Sequence, residues 1–165
     1  MTVASFLSDQ SYDTACFGKW HLGMDWTGID GRCPAEADSV DFEVPIKNGP
    51  TVFGFDSFFG ISASLDMPPY VYIRDDRPTA LPDRITENTD FMRLWRSGPT
   101  GADFFHIDVL PTLRRKAIDY IRAHEDSDRP FFLYFPLPAP HTPILPTADF
   151  RGRSGTNLYG DFVLQ

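Results

Sequence analysis

The sequence has 165 residues, of which 42% are hydrophobic, so it can bury a core of ordinary single-domain size. Its 15 basic and 23 acidic residues give a formal net charge of −8, which argues against a nucleic acid partner because a polyanion requires a basic surface. No apolar stretch is long enough to cross a bilayer, and residues 1–10 lack the basic residues that begin a secretory signal.

The first two predicted elements are a short helix and a buried strand. Residues 3–9 show helical spacing of three apolar side chains on one face: Val3, Phe6 and Leu7. Residues 12–17 predict a buried strand. The strand contains Cys16, whose one possible disulfide partner is Cys33. Because Cys16 lies in a buried strand, we expect it to be a small core hydrophobe instead.

The segment Gly18–Gly23 follows this strand and resembles an anion site. Lys19 and His21 are two residues apart, so in an extended segment an ammonium group and a ring nitrogen point the same way. The flanking glycines allow the backbone to turn and to approach a ligand closely. The alternative is a solvated Lys19 and a hydrogen-bonded loop histidine, and these six residues alone do not decide between the two.

The middle of the chain predicts loops with aromatic packing. Residues 25–49 are polar and irregular, and the phenylalanines of residues 53–60 are expected to pack in the core. Residues 64–72 predict a loop that runs into a short strand. Asp66 in this loop could face a substrate, but an Asp that forms a turn is the favoured interpretation.

Two helices are predicted next. Residues 74–101 form an insertion with a short helix, because Phe91, Leu94 and Trp95 have helical spacing. Asp108 is the expected N-cap of the clearest helix. Its apolar face is formed by Leu113, Ala117, Ile118 and Ile121. We expect Arg114, Arg115 and Lys116 to be mostly solvated and His124 to lie at the surface, and the sequence indicates no partner for His106.

A second buried strand precedes a candidate site residue. Residues 130–135 are apolar after Pro130, and the prolines that follow force the chain into a loop that contains His141. His141 therefore lies just beyond the carboxyl end of a strand, which is where open α/β sheets bind ligands. Residues 159–165 predict the first turns of a helix.

Two motifs in this order resemble the sulfatases, the family of arylsulfatases. The first is Gly18-Lys19-Trp20-His21-Leu22-Gly23 after its strand, and the second is Pro140-His141-Thr142-Pro143 after Pro-Phe-Phe-Leu-Tyr. The segment Gly54-Phe55-Asp56 is similar to a further stretch of that family. The resemblance implies an α/β fold, an alkaline-phosphatase-like mixed sheet flanked by helices that is incomplete in this chain.

The resemblance also implies roles for three residues. Lys19 would place a fixed positive charge on the sulfate or nucleophile oxygens, and His21 would hydrogen-bond the nucleophile and carry its proton. His141 would donate a hydrogen bond to the sulfate or to the leaving oxygen. Lys19 and His141 are therefore the expected substrate-binding residues, and all three are the expected catalytic residues.

The family cofactors are not recognisable in the sequence. The resemblance implies a formylglycine nucleophile made from a Cys/Ser-x-Pro-x-Arg motif and a calcium ion held by Asp and Asn. Cys33-Pro34 has its proline one place early and no arginine follows, and no metal ligands are predicted. Residues 1–165 are thus expected to be an internal part of the N-terminal catalytic domain of a sulfatase, with Met1 inside the fold and both cofactor segments outside the chain.

The implied activity is hydrolysis of a sulfate ester, either a small molecule or a sulfated glycan, to an alcohol or phenol and inorganic sulfate. We expect the chain alone to be inactive. The alternatives are a formylglycine-type phosphonate or phosphodiester hydrolase and a non-catalytic remnant that binds sulfated glycans. Family habit suggests a periplasmic or secreted protein, or a lysosomal one in animals.

Overall fold

The computed structural model describes residues 1–165 and contains three α-helices and seven strands. The elements are α1 (Val3–Asp9), β1 (Asp13–Lys19), β2 (Ser57–Ile61), β3 (Ile73–Arg74), β4 (Arg77–Pro78), β5 (Pro82–Asn88), β6 (Trp95–Gly101), α2 (Val109–Ala123), β7 (Phe131–Tyr134) and α3 (Leu158–Leu164). This order confirms the predicted α/β class. None of the helices combines the length and the apolar character that crossing a bilayer requires.

A mixed five-stranded sheet forms the centre of the molecule. Its strand order is β4-β3-β2-β1-β7. Strand β1 is parallel to both β2 and β7, whereas β3 is antiparallel to its neighbours β2 and β4. The carboxyl ends of β1, β2 and β7 therefore meet at one edge, which we call the carboxyl edge. The predicted mixed sheet flanked by helices is confirmed, and β5 and β6 form a separate antiparallel pair.

Helices cover the sheet on both faces, which explains why β1 is buried along its length. Ala15 and Phe17 pack on one side with Leu113 of α2, whereas Cys16 packs on the other side with Ala4 of α1. Cys16 is thus the core residue that the sequence predicts. It forms no disulfide, and burial raises the pKa of its thiol to about 12.

The buried faces of the two helices differ in part from the predicted ones. In α1 the small Ala4 is buried while Val3 and Phe6 are 61% and 49% exposed, because a small side chain lets the helix lie close to the sheet. In α2 the buried residues are Val109, Leu110, Leu113 and Ala117, whereas the predicted core residues Ile118 and Ile121 are exposed. The helical spacing predicts both helices correctly, but it does not fix which side of the apolar stripe contacts the sheet.

The predicted helix at Phe91–Trp95 is wrong, because β5 and β6 form a hairpin there. Exposed and partly buried residues alternate along β5, but the inward residues after Pro82 are polar, so the strand lacks apolar alternation. Arg84 Nη2 donates to the Phe104 carbonyl oxygen at 2.7 Å, and the hydroxyls of Thr86 and Thr100 are 2.7 Å apart. Polar contacts therefore fix the hairpin, and Phe91 in its turn is exposed.

Candidate active site

The carboxyl edge carries the first predicted motif. Lys19 is the last residue of β1 and is paired with Ile61, the last residue of β2. The two chains stay together beyond the strands, since Trp20 N donates to the Ile61 carbonyl at 3.0 Å and His21 N to the Ser62 carbonyl at 2.9 Å. The segment after β1 is thus held against the loop that follows β2.

Gly18 is required at this edge by the close approach of another segment. Its φ is +142°, and a Cβ at this position would overlap the carbonyl oxygen of Pro136. The Lys19 amide donates to that same oxygen at 2.7 Å. The chain that leads from β7 towards His141 is therefore fixed directly to the end of β1.

Lys19 and His21 converge on a third residue, Ser64. Lys19 Nζ lies 3.4 Å from Ser64 Oγ, and Ser64 Oγ lies 3.2 Å from His21 Nδ1. The two side chains meet although His21 has a left-handed φ of 51° and the segment is not the extended one that the sequence predicts. Ser64 is only 3% exposed, so this hydroxyl holds both side chains from the buried side.

The ammonium group of Lys19 has no acidic partner. None of the six ion pairs of the structure includes it. A positive charge that is fixed by a neutral hydroxyl and is not compensated by a carboxylate attracts an anion. The arrangement can thus hold an anionic group next to an imidazole.

His141 lies in the loop after β7, as the sequence predicts, and reaches the same area through Asp66. Its Nδ1 is 2.7 Å from the Thr142 carbonyl oxygen and 3.9 Å from Asp66 Oδ1. Since a carbonyl can only accept, Nδ1 carries the proton of that hydrogen bond. His141 makes no hydrogen bond to Lys19 or His21, and its side chain is 49% exposed.

Asp66 lies in a turn, as the sequence favours, and its carboxylate lies between His141 and Arg96. Its side chain is 14% exposed, Oδ1 is buried without a hydrogen-bond partner, and Oδ2 lies 4.0 Å from Arg96 Nη2. A buried carboxylate oxygen without a donor is rare in folded proteins. Because Ser64 and Asp66 belong to one loop, this loop links the Lys19 and His21 pair to His141.

Two residues near this site, Ser64 and Arg96, are not among the predicted site residues, because the strands β2 and β6 that position them are not predicted from the sequence. Had Ser57–Ile61 been predicted as a parallel strand, the loop after it would have been placed at the carboxyl edge, where ligands bind. Arg96 comes to the edge from β6, which the sequence presented as part of a helix. The apolar spacing contains no signal for that contact.

A cleft of about 470 Å³ opens beside His21. Its walls include Trp26 and Glu36 from the long loop after β1, Ser62 from the loop after β2, and Arg96 from β6. This volume is typical of a small-molecule site. An anion held at Lys19 and His21 would therefore have space for the rest of its molecule on the same side.

The residues of the chain do not fit the implied calcium ion or nucleophile. No three His, Cys, Asp or Glu side chains are grouped so that they could hold a metal. Cys16 is buried in the sheet, and Cys33 is exposed in a segment that lacks the formylglycine pattern.

Comparison with known proteins identifies the family of this chain. The family model described as Sulfatase matches residues 1–162. An N-acetylgalactosamine-6-O-sulfatase of Bacteroides thetaiotaomicron is 28% identical over 199 aligned positions, which cover all of this chain and 37% of that protein. An N-acetylgalactosamine-6-sulfatase of Canis lupus familiaris is 28% identical over 98% of this chain and 26% of its own length.

Solved structures agree with the fold. A structure from work on glycosaminoglycan metabolism by Bacteroides thetaiotaomicron has a TM-score of 0.76 and 26% identity, over 98% of this chain and 38% of that one. The PsFucS1 sulfatase from Pseudoalteromonas sp. has a TM-score of 0.60 at 18% identity, covers 96% of this chain and shows the fold alone. The chain spans about a third of these proteins and has part of their alkaline-phosphatase-like fold. Together, the family match, the relatives and the fold show that this chain belongs to the sulfatase family.

Proposed function

We propose that residues 1–165 are part of the N-terminal catalytic domain of a sulfuric ester hydrolase and supply one wall of its sulfate site. The observation that carries this proposal is the uncompensated ammonium of Lys19, held 3.4 Å from Ser64 Oγ beside His21. A sulfate ester develops negative charge on its oxygens during cleavage, and a preorganised cation stabilises that charge.

In this proposal the three predicted residues have distinct tasks. Lys19 binds the spectator oxygens of the sulfate. His21 has Nδ1 turned to Ser64, so Nε2 is the atom that exchanges a proton. His141 has Nδ1 turned to the Thr142 carbonyl, so its Nε2 is the atom that faces the sulfate or the leaving oxygen.

The substrate that we propose is a sulfated glycan rather than a small aryl ester. The similar proteins of Bacteroides thetaiotaomicron and Canis lupus familiaris are N-acetylgalactosamine-6-sulfatases. The cleft beside His21 has room for a sugar next to the sulfate. Members of the family use formylglycine and calcium. Since the residues of this chain do not fit either group, we propose that other segments supply both and that the chain alone is inactive.

The experiment is an assay of a full-length protein that contains this chain. We expect release of inorganic sulfate from N-acetylgalactosamine 6-sulfate and a loss of roughly 10²- to 10³-fold in kcat/KM on Lys19→Ala, the usual cost of removing one preorganised electrostatic partner. Arg129→Ala is the matched control, because that cation lies at the opposite end of β1 and should leave kcat/KM unchanged.

Three outcomes would replace the proposal. Faster turnover of phosphate diesters or phosphonates than of sulfate esters would identify a phosphonate or phosphodiester hydrolase. Binding of sulfated glycans without turnover would identify a non-catalytic remnant. Calcium-dependent sulfate release by residues 1–165 alone, abolished by Lys19→Ala, would contradict the expectation of an inactive segment.

A further inference from the structure

We propose that Arg96 is a specificity-determining residue that binds a carboxylate of the glycan, on the sugar next to the sulfated one. This inference rests on the proposed function and extends it from the sulfate group to the rest of the substrate. It concerns the residue of the cleft that would hold a second anionic group of such a glycan, beside the sulfate.

The shape of the cleft supports a substrate of more than one sugar. The first hollow, of about 470 Å³, begins at His21, and a second hollow of about 390 Å³ adjoins it. The two hollows share four lining residues, namely Glu36, Ala37, Pro68 and Ser97. They therefore form one trough that starts at the anion site and leads away from it, as a linear chain of sugars requires.

Arg96 is the single cation in the lining of this trough. The other charged side chains are Glu36 in both hollows and Asp38 in the second. Carboxylates accept hydrogen bonds from sugar hydroxyls, but they repel an anionic substituent. An anionic substituent in the trough is therefore drawn to Arg96.

Arg96 is also free to bind such a group. Its side chain is 62% exposed, and its only ion pair is the distant one with Asp66, at 4.0 Å. Its backbone amide donates to the Asp66 carbonyl at 3.3 Å, so the residue is fixed at its base while the guanidinium stays open. A planar guanidinium binds a carboxylate through two parallel hydrogen bonds, which an ammonium group cannot do.

The test is equilibrium binding, measured by calorimetry on a full-length protein that contains this chain. The probe is an unsulfated chondroitin tetrasaccharide, in which glucuronate alternates with N-acetylgalactosamine, and its partner probe is the carboxyl-reduced form. We expect Arg96→Ala to weaken binding of the first probe roughly tenfold to a hundredfold, the range for a charged hydrogen bond. Arg96→Lys should give a smaller loss, and neither variant should change binding of the reduced probe.

Arg93→Ala is the matched control, because Arg93 lies three residues away, is also 4.0 Å from an aspartate and lines neither hollow. Equal affinity of wild-type protein and Arg96→Ala for the charged probe would overturn the inference, and so would equal losses for both probes or the absence of binding. Because no readout depends on turnover, the result is separate from the sulfate-release assay. Failure of that assay would refute the proposed function without affecting the binding comparison.

Discussion

The two ends of β1 use similar residues for opposite purposes. At the amino end, Asp13 lies 3.0 Å from Arg129 Nη1 and 3.4 Å from His124 Nε2, so a cation and an imidazole share one carboxylate. At the carboxyl end, Lys19 and His21 share the neutral hydroxyl of Ser64. At the amino end Asp13 compensates the charge of Arg129, whereas at the carboxyl end the charge of Lys19 is not compensated and can attract a ligand.

The comparison shows that residue type alone does not identify a site. His124 was expected at the surface, yet it packs between Asp13 and the Tyr120 carbonyl, 2.8 Å from its Nδ1. His124 caps the carboxyl end of α2, and its contacts are with other parts of the fold. What distinguishes the carboxyl edge is the missing counter-charge together with an adjacent cleft.

The largest effect is expected from breaking the backbone contact at the carboxyl edge. Gly18→Ala should destabilise the fold by about 4 kcal/mol, because the new Cβ overlaps the Pro136 carbonyl and a φ of +142° is unfavourable for alanine. Urea denaturation measures the change. Gly23→Ala is the control, since Gly23 also has a positive φ, +87°, but no atom within 4 Å of the added Cβ. A similar cost for both would show that strain, not the contact, requires glycine at position 18.

The next effect separates the cations that lie at the two ends of β1, Lys19 and Arg129. Lys19→Ala should abolish binding of inorganic sulfate, measured by calorimetry, while it changes the free energy of unfolding by less than about 1 kcal/mol, because the ammonium has no ion pair to lose. A large loss of stability with sulfate binding intact would mean that Lys19 is structural and that the two ends of β1 do not differ in purpose.

His106 gives a third histidine environment to compare with the two ends of β1, because it is buried and forms no ion pair with an acid. It is 8% exposed, stacks on Trp95 with ring centroids 4.0 Å apart, and burial lowers its pKa from 6.5 to about 4. The folded state therefore binds fewer protons than the unfolded state between these values, and stability falls as the pH falls through this window.

From pH 7 to pH 5, His106 should cost about 2 kcal/mol of unfolding free energy. The measurement is urea denaturation at both pH values, with His106→Phe as the comparison. The variant should lose less stability than the wild-type protein by that amount. Parallel losses in both proteins would assign the acid sensitivity to other groups.

The smallest effect is expected at the amino end of β1. Arg129→Ala should cost no more than about 1 kcal/mol, because the arginine side chain is 57% exposed and water screens the pair. Thermal denaturation with sulfate titration in parallel tests this expectation. A loss of sulfate binding in this variant would contradict the proposed division between a structural and a ligand-binding end.

Much of the fold could be predicted from local patterns. Local apolar patterns predict four elements that the structure contains: the strand that leads to Gly18, the strand before His141, the main helix after Asp108 and the final helix. The hairpin of β5 and β6 could not be predicted in this way, because its inward side chains are arginine and threonine, which bond to distant carbonyl and hydroxyl groups. Such partners are not visible in a linear pattern.

The sequence by itself determined the family, through two motifs, and the three residues expected at the site, since strand ends and glycines are encoded locally. Only the tertiary structure decided that Ser64 joins Lys19 to His21, that Asp66 lies beside His141 and that Arg96 borders the cleft. The physical reason is that a charge is available or compensated according to its neighbours in space. Parallel pairing of β1 with β2 and β7, which no local pattern specifies, brings those neighbours together.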